Sequence, residues 1–173
     1  MLTPTQLDQM ILRVPDYPKP GIVFQDITPL LGDAEGFNSL IQTMVNPYLD
    51  SKVTHVLGIE ARGFLLASAM AYQLGAGLVP VRKIGKLPRP TISRTYDLEY
   101  GTAEIEMHLD ALPPGSRTLI VDDVLATGGT LGALLEILAA ANTQVVGISV
   151  ISEIPGLDGR TKLMGLPLSI AIP

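Results

Sequence analysis

The stretch Leu119-Ile120-Val121-Asp122-Asp123-Val124-Leu125-Ala126-Thr127-Gly128-Gly129-Thr130 decides how the rest of the chain is read. Leu119 to Val121 has the apolar, β-branched composition of a buried strand, and Asp122-Asp123 stand where that strand is expected to end. In open parallel sheets, ligands bind off the carboxyl ends of the strands. The turn Ala126-Thr127-Gly128-Gly129-Thr130 then opens a Leu/Ala-rich helix expected over Thr130 to Ala141. Free N–H groups, two hydroxyls and the positive end of the helix dipole converge there, and the glycines permit a close approach. A phosphate monoester suits this turn. Two ionised carboxylates, which are acceptors only, suit the paired hydroxyls of a ribose. Turn and cap chemistry alone accounts for an isolated Gly-Gly-Thr, but here strand, carboxylates, turn and helix follow without interruption. The chain lacks both the Gly-Lys-Ser/Thr of a P-loop and the Gly-x-Gly-x-x-Gly of a dinucleotide turn, which argues against a nucleoside triphosphate.

Outward from this stretch, short apolar runs at Val53 to Ile59, Leu78 to Val81, Thr118 to Val121 and Gln144 to Ile151 are expected strands. Gly36 to Leu49 and Gly63 to Leu74 have helical apolar spacing. Strands alternating with helices predict an α/β fold, a central mostly parallel sheet flanked by helices. Thr91 to Leu109 breaks the rhythm, because Ala103, Ile105, Met107 and Leu109 alternate with Glu104, Glu106 and His108. That period predicts a half-exposed antiparallel ribbon. Its approach, Lys83 to Pro90, is rich in Gly, Pro and cations and reads as a mobile surface loop. Met1 to Gly32 and Ile154 to Pro173 are expected to add lids or edges to the sheet.

The 173 residues, 47% of them apolar, suit a single domain. A net charge of -5 gives no basic footprint for nucleic acid. The absence of cysteine removes thiolate metal sites and Cys nucleophiles and favours a reducing compartment. No apolar segment reaches the roughly 20 residues of a membrane span, and the start MLTPTQLDQM does not read as a signal peptide. The expectation is a soluble, cytoplasmic protein. His55 and His108 lie in no ligand-like spacing, so no metal held by protein alone is expected.

The run LIVDDVLATGGT closely resembles the phosphoribosyl pyrophosphate motif of the type I phosphoribosyltransferases. Four further stretches resemble the adenine-using branch of that family: PDYPKPGIVFQDITPLL near the N-terminus, GIEARGF at 58–64, VRKIGKLP at 81–88 and DLEYG at 97–101. The resemblance implies the type I fold, with a small hood and a mobile antiparallel loop over the active site. It implies transfer of a 5-phosphoribosyl group from phosphoribosyl pyrophosphate to adenine, with magnesium held mainly by the substrate. A related enzyme using hypoxanthine or xanthine, and a non-catalytic nucleotide sensor, stay open as alternatives.

Residue roles follow from the same resemblance. Asp122, Asp123, Ala126, Thr127, Gly128, Gly129 and Thr130 are implied to hold the ribose 5-phosphate. Glu60, Ala61 and Arg62 follow the strand at Val53 to Ile59, which brings them to the same sheet edge. In the related enzymes this loop holds pyrophosphate, and the planar guanidinium of Arg62 suits an oxygen pair. Arg82, Lys83 and Lys86 add cations, and Arg82 is implied to reach a neighbouring subunit's site, which requires a homodimer. Glu99 is implied to assist proton movement at the purine and Tyr100 to seal the site. Phe24, the backbone around Gln25, and Ile154 are implied to face the base. The residue after Phe24 is commonly basic in the family, so Gln25 is a departure that leaves any side-chain reading of the base open.

Overall fold

The structure, a computed structural model, describes residues 1–97 and 101–173. The N-terminal part holds helix α1 (Pro4–Gln9), a hairpin of β1 (Leu12–Pro15) and β2 (Val23–Asp26), and helices α2 (Thr28–Gly32) and α3 (Ala34–Val45). A first β-α-β unit follows in β3 (His55–Ile59), α4 (Arg62–Leu74) and β4 (Gly77–Lys83). The ribbon β5 (Thr91–Asp97) and β6 (Thr102–His108) leads to a second unit, β7 (Arg117–Leu125), α5 (Gly129–Ala140) and β8 (Gln144–Glu153). The short strand β9 (Leu168–Ile170) comes last.

Seven strands make one sheet in the order β5-β6-β4-β3-β7-β8-β9. The five from β4 to β9 are parallel, and the ribbon joins them antiparallel through β6 on β4. Hairpin β1-β2 stands apart as its own small sheet, the hood expected from the resemblance. The two-residue period of the strands sorts their side chains between two cores. Val56, Leu119 and Val121 pack with α3 and α4, while Leu57, Ile59 and Ile120 pack with α5 and the ribbon. Each aliphatic side chain so buried stabilises the fold by ~1.5–3 kcal/mol before chain entropy is counted.

Local chemistry explains where elements begin and end. Thr3 and Gln6 form a capping box at α1, with Pro4 in the first turn. Asp33 accepts from the Gly36 N–H at 2.7 Å, so α3 starts before the expected Gly36, and it tightens into a 3-10 turn at Asn46–Tyr48, which contains Pro47.

Three expectations need correction. Strand β7 does not end at Asp122-Asp123; its ladder with β8 continues to Leu125 opposite Glu153. The carboxylates are therefore held in a paired strand. Glu106, expected on the wet face of the ribbon, is 3% exposed. Leu109, expected on the apolar face, is 66% exposed, because β6 ends at His108 and the chain turns away through a Leu109 N–H bond to Pro90 O.

Candidate active site

From β3 the chain crosses through α4 to β4 on one side, and from β7 it crosses through α5 to β8 on the other. The strand order reverses between β3 and β7, and such a crevice is where open α/β sheets bind ligands. The loop after β3 carries Glu60 and Ala61, joined by a cis peptide, and leads into Arg62. The turn after β7 carries Ala126, Thr127 and Gly128 and leads into α5.

Helix α5 has no side-chain cap at its amino end, so its first N–H groups keep their donor capacity for a ligand. Gly128 precedes it in the left-handed region at φ 71°. A Cβ on Gly128 would lie 2.4 Å from the Gly159 carbonyl, and a Cβ on Gly159 would lie 2.2 Å from the Ala126 carbonyl. The phosphate turn and residue 159 are thus packed backbone to backbone, with no room for a methyl group on either. On the other side, Tyr96 and Asp97 of the ribbon approach Gly129. A cavity of about 180 Å³ lies over this turn, lined by Asp122 and by residues 124–131. All the residues expected to hold the ribose 5-phosphate are brought together except Asp123, which lines the neighbouring cavities.

Consecutive strand residues face opposite ways, and the two aspartates have different surroundings. Asp122 forms no ion pair among the described residues; its Oδ1 accepts only the Asp123 N–H, at 2.9 Å. Burial pushes its pKa well above the usual carboxylate value, and the charge of Asp123 pushes in the same direction. Asp123, 8% exposed, is paired with Arg62 at 2.5 Å.

Beside them a cavity of about 190 Å³ is lined by Glu60, Ala61, Arg62, Lys83, Tyr96, Asp122, Asp123 and Thr130, among others. Its cations suit a polyphosphate. Glu60 is placed differently from a group that meets an anion: its Oε2 accepts from Arg82 Nε and from the Lys83 N–H, both at 3.1 Å. Burial works to raise the Glu60 pKa, but the Lys83 N–H and the Arg82 guanidinium outweigh it and hold the carboxyl below its usual range. Arg82 also donates to Lys86 O at 3.1 Å, which closes the turn between them.

On the far side of Asp123 a cavity of about 100 Å³ is lined by Phe24, Gln25, Arg62, Asp123, Ser152 and Ile154 with neighbouring apolar residues. The Arg62 guanidinium lies 4.7 Å above the Phe24 ring, and Tyr17 meets the same ring edge-on at 5.2 Å. Arg62 also reaches Gln25 O at 3.5 Å. The Gln25 side chain turns to β8, where its Oε1 accepts from Ser152 Oγ at 2.8 Å.

The residues expected at the base and pyrophosphate therefore converge on adjoining cavities, with Lys86 and Arg82 on the rim rather than in the lining. Glu99 and Tyr100 lie outside the described residues. Sequence reasoning did not find Gly159, Ser152, Tyr96 or Tyr17. Gly159 sits in a Gly-rich run, GLDGR, that was a usable signal; a single serine in a strand carried none.

Residues 33–159 match the phosphoribosyl transferase domain. An adenine phosphoribosyltransferase of Thermobifida fusca is 52% identical over 164 residues, covering 95% of this chain and 93% of the relative. The crystal structure of adenine phosphoribosyltransferase from Rhodothermus marinus superposes with a TM-score of 0.93 at 47% identity, over 97% of this chain and 96% of the other. That of the Saccharomyces cerevisiae enzyme, complexed with an imino-altritol bisphosphate and adenine, superposes with a TM-score of 0.92 at 33% identity, over 97% of both chains.

Proposed function

The chain belongs to the phosphoribosyl transferase family, among its adenine phosphoribosyltransferases, and from that premise we propose how its own residues share the reaction. It transfers the 5-phosphoribosyl group of phosphoribosyl pyrophosphate to adenine, giving AMP and pyrophosphate, a step of purine salvage. Relatives at about half identity carry that activity in their names, and this favours adenine over the other purines and over a sensor without turnover.

The observation that carries the assignment of residues is the uncapped start of α5 beside a half-buried Asp122 that lines two of the cavities and forms no ion pair among the described residues. Helix-start N–H groups without a side-chain cap, and a carboxylate whose one partner is the Asp123 N–H, suit a ligand that has both an anion and hydroxyls. The 5′-phosphate takes the N–H groups of residues 127–130, and Asp122 and Asp123 accept from the ribose hydroxyls. The pyrophosphate takes the loop 60–62 with Lys83, and Lys86 adds a cation from the rim. Adenine takes the apolar slot of Phe24 and Ile154, where the main chain of Gln25 reads its edge. The Gln25 side chain is engaged by Ser152, which supports main-chain reading.

In the reaction the bond from the anomeric carbon to the pyrophosphate oxygen breaks, and a bond from that carbon to adenine N9 forms. Positive charge builds on the sugar while negative charge builds on the leaving group. Preorganised cations on one side and carboxylates on the other stabilise that separation. Glu99 takes up the proton released from N9, and Tyr100 excludes water from the donor. Magnesium is the proposed cofactor. The hard oxygens of the donor would supply most of its ligands, and Asp122 and Asp123 are the carboxylates that the crevice would offer it. When bound, it neutralises charge on the departing pyrophosphate.

The proposed assembly is a homodimer. Leu65 at 52% and Tyr72 at 88% exposure lie on the outer face of α4, with Leu78 exposed at the start of β4, an apolar surface of the kind that partners cover. The proposed location is the cytoplasm, supported by the lack of cysteine and by the absence, among the described residues, of any helix long and apolar enough to cross a membrane. The test supplies adenine, hypoxanthine, guanine and orotate in turn with the donor and magnesium and follows pyrophosphate release. Adenine is expected to turn over far faster than the others; turnover of another base without adenine overturns the assignment.

A further inference from the structure

The alternation of residues 103–109 places Glu106 among the polar side chains of the ribbon, yet it is one of the most buried charged residues of the molecule, at 3% exposed. A carboxylate in that position is costly unless donors surround it. Its Oε1 accepts the N–H groups of Lys86 at 2.8 Å and Leu87 at 2.9 Å, with the Thr91 hydroxyl and the Gly85 N–H contributing. Burial raises the pKa of this carboxyl, but these donors outweigh it and hold it below its usual range. Glu60 makes a similar arrangement at the other end of the same turn, accepting from Arg82 Nε and the Lys83 N–H. Arg82 then joins the two ends by donating to Lys86 O.

The charges of the turn are sorted by these contacts. Both carboxylates accept from backbone N–H groups of the turn, and Glu60 accepts from Arg82 as well, so their negative charge is offset by donors of the turn itself. Neither Lys83 nor Lys86 forms an ion pair among the described residues, and Lys83 lines the cavity of Arg62 and the aspartates. A turn rich in glycine and cations, left to itself, would hold its ammonium groups in many positions, and anion binding would have to order them.

We propose that Glu106 is a positioning residue for the transfer, a carboxylate that touches no substrate and fixes the turn 82–87 so that its ammonium groups meet the pyrophosphate. This rests on the reading above that the turn faces pyrophosphate. Removing the Glu106 oxygens leaves the N–H groups of Lys86 and Leu87 unpaired and frees the turn, whereas Gln keeps an Oε1 in place to accept both.

The test titrates AMP and magnesium pyrophosphate separately against Glu106→Ala, Glu106→Asp, Glu106→Gln and the double variant Lys83→Ala/Lys86→Ala, with KM for the donor measured beside them. Glu106→Ala is expected to weaken pyrophosphate and raise the donor KM at least tenfold while AMP affinity stays within twofold. Glu106→Gln is expected within threefold of the parent, and Glu106→Asp, whose oxygen is drawn back by one methylene, between the two. Unchanged pyrophosphate affinity in Glu106→Ala, or loss of AMP and pyrophosphate together, overturns the proposal. If Glu106→Ala does not fold, Glu106→Asp decides by the same two titrations. Should the lysine variant bind pyrophosphate normally, the reading of the turn fails and the proposal falls with it. If only the lysine variant is affected, the turn stands and the role of Glu106 alone is refuted.

Discussion

On the sugar-phosphate side of the crevice, Asp122 and the turn after it come from one uninterrupted run; Asp122 forms no ion pair among the described residues, and the start of α5 has no side-chain cap. On the base side, Phe24, Gln25, Arg62, Asp123 and Ser152 come from separate segments and already engage one another: Arg62 lies over the Phe24 ring, pairs with Asp123 and reaches Gln25 O, and Ser152 donates to Gln25 Oε1. A carboxylate whose charge is disfavoured by desolvation and by a neighbouring aspartate carries a stability cost, whereas a satisfied network gives a slot its shape. The first side should therefore lose function and gain stability when its groups are removed. The second should lose both together.

Asp122→Asn tests the first half of that contrast most severely. Loss of the charge is expected to lower kcat/KM by about 10²–10³-fold, the scale of removing one preorganised polar group from a reacting centre. The same change is expected to raise the melting temperature at pH 7. A carboxyl whose folded pKa is raised binds its proton more tightly in the native state, so its contribution to stability is full below the unfolded value of about 3.9 and is lost as pH rises through the folded value. The gain from Asn should accordingly shrink as the pH is taken down, which melting curves across an acid series will read. An Asn variant less stable than the parent at neutral pH breaks the comparison.

Next in size is Gly159→Ala. The added methyl group meets the Ala126 carbonyl at 2.2 Å, and overpacking of this kind costs ~1–3 kcal/mol, or roughly a tenfold to hundredfold loss of phosphate affinity when it displaces the turn. AMP binding should fall by that factor and adenosine binding should hold, because only AMP uses the turn. Asp123→Asn comes third. It leaves the Arg62 guanidinium half-buried without its partner, and it is expected to cost about 1–2 kcal/mol of stability with a severalfold rise in the adenine KM. Equilibrium denaturation beside steady-state kinetics separates it from Asp122→Asn, since the two neighbours should move stability in opposite directions. The smallest effect belongs to Ser152→Ala, which frees Gln25 Oε1. About 1 kcal/mol of stability and a few-fold loss of discrimination between adenine and hypoxanthine are expected.

The same contrast explains what could be read from the residues in order. Strand, carboxylates, turn and helix from Leu119 to Thr130 were legible because every group in that half is local, and local chemistry dictates turns and helix starts. The parallel sheet followed from the alternation of apolar runs, and the hood from resemblance. The end of β7 was misjudged because two acidic residues look like a strand terminus, whereas β8 pairs with them through Leu125. Glu106 was misjudged because period two sorts residues by polarity, and a buried carboxylate surrounded by backbone N–H groups defeats that rule. The link from Gln25 to Ser152 joins positions 127 apart in the chain, and nothing local to either residue announces it. Gly159 shows the same limit, since close backbone approach appears only when both segments are in place.

A crystal structure with AMP bound puts the account to its most direct test. The 5′-phosphate is predicted to lie on the N–H groups of residues 127–130, the ribose hydroxyls on Asp122 and Asp123, and adenine on Phe24 with its edge against the main chain of Gln25. A phosphate seated on Lys83 and Arg62 instead, with the turn before α5 left without a ligand, would contradict the division of the crevice on which every other prediction depends.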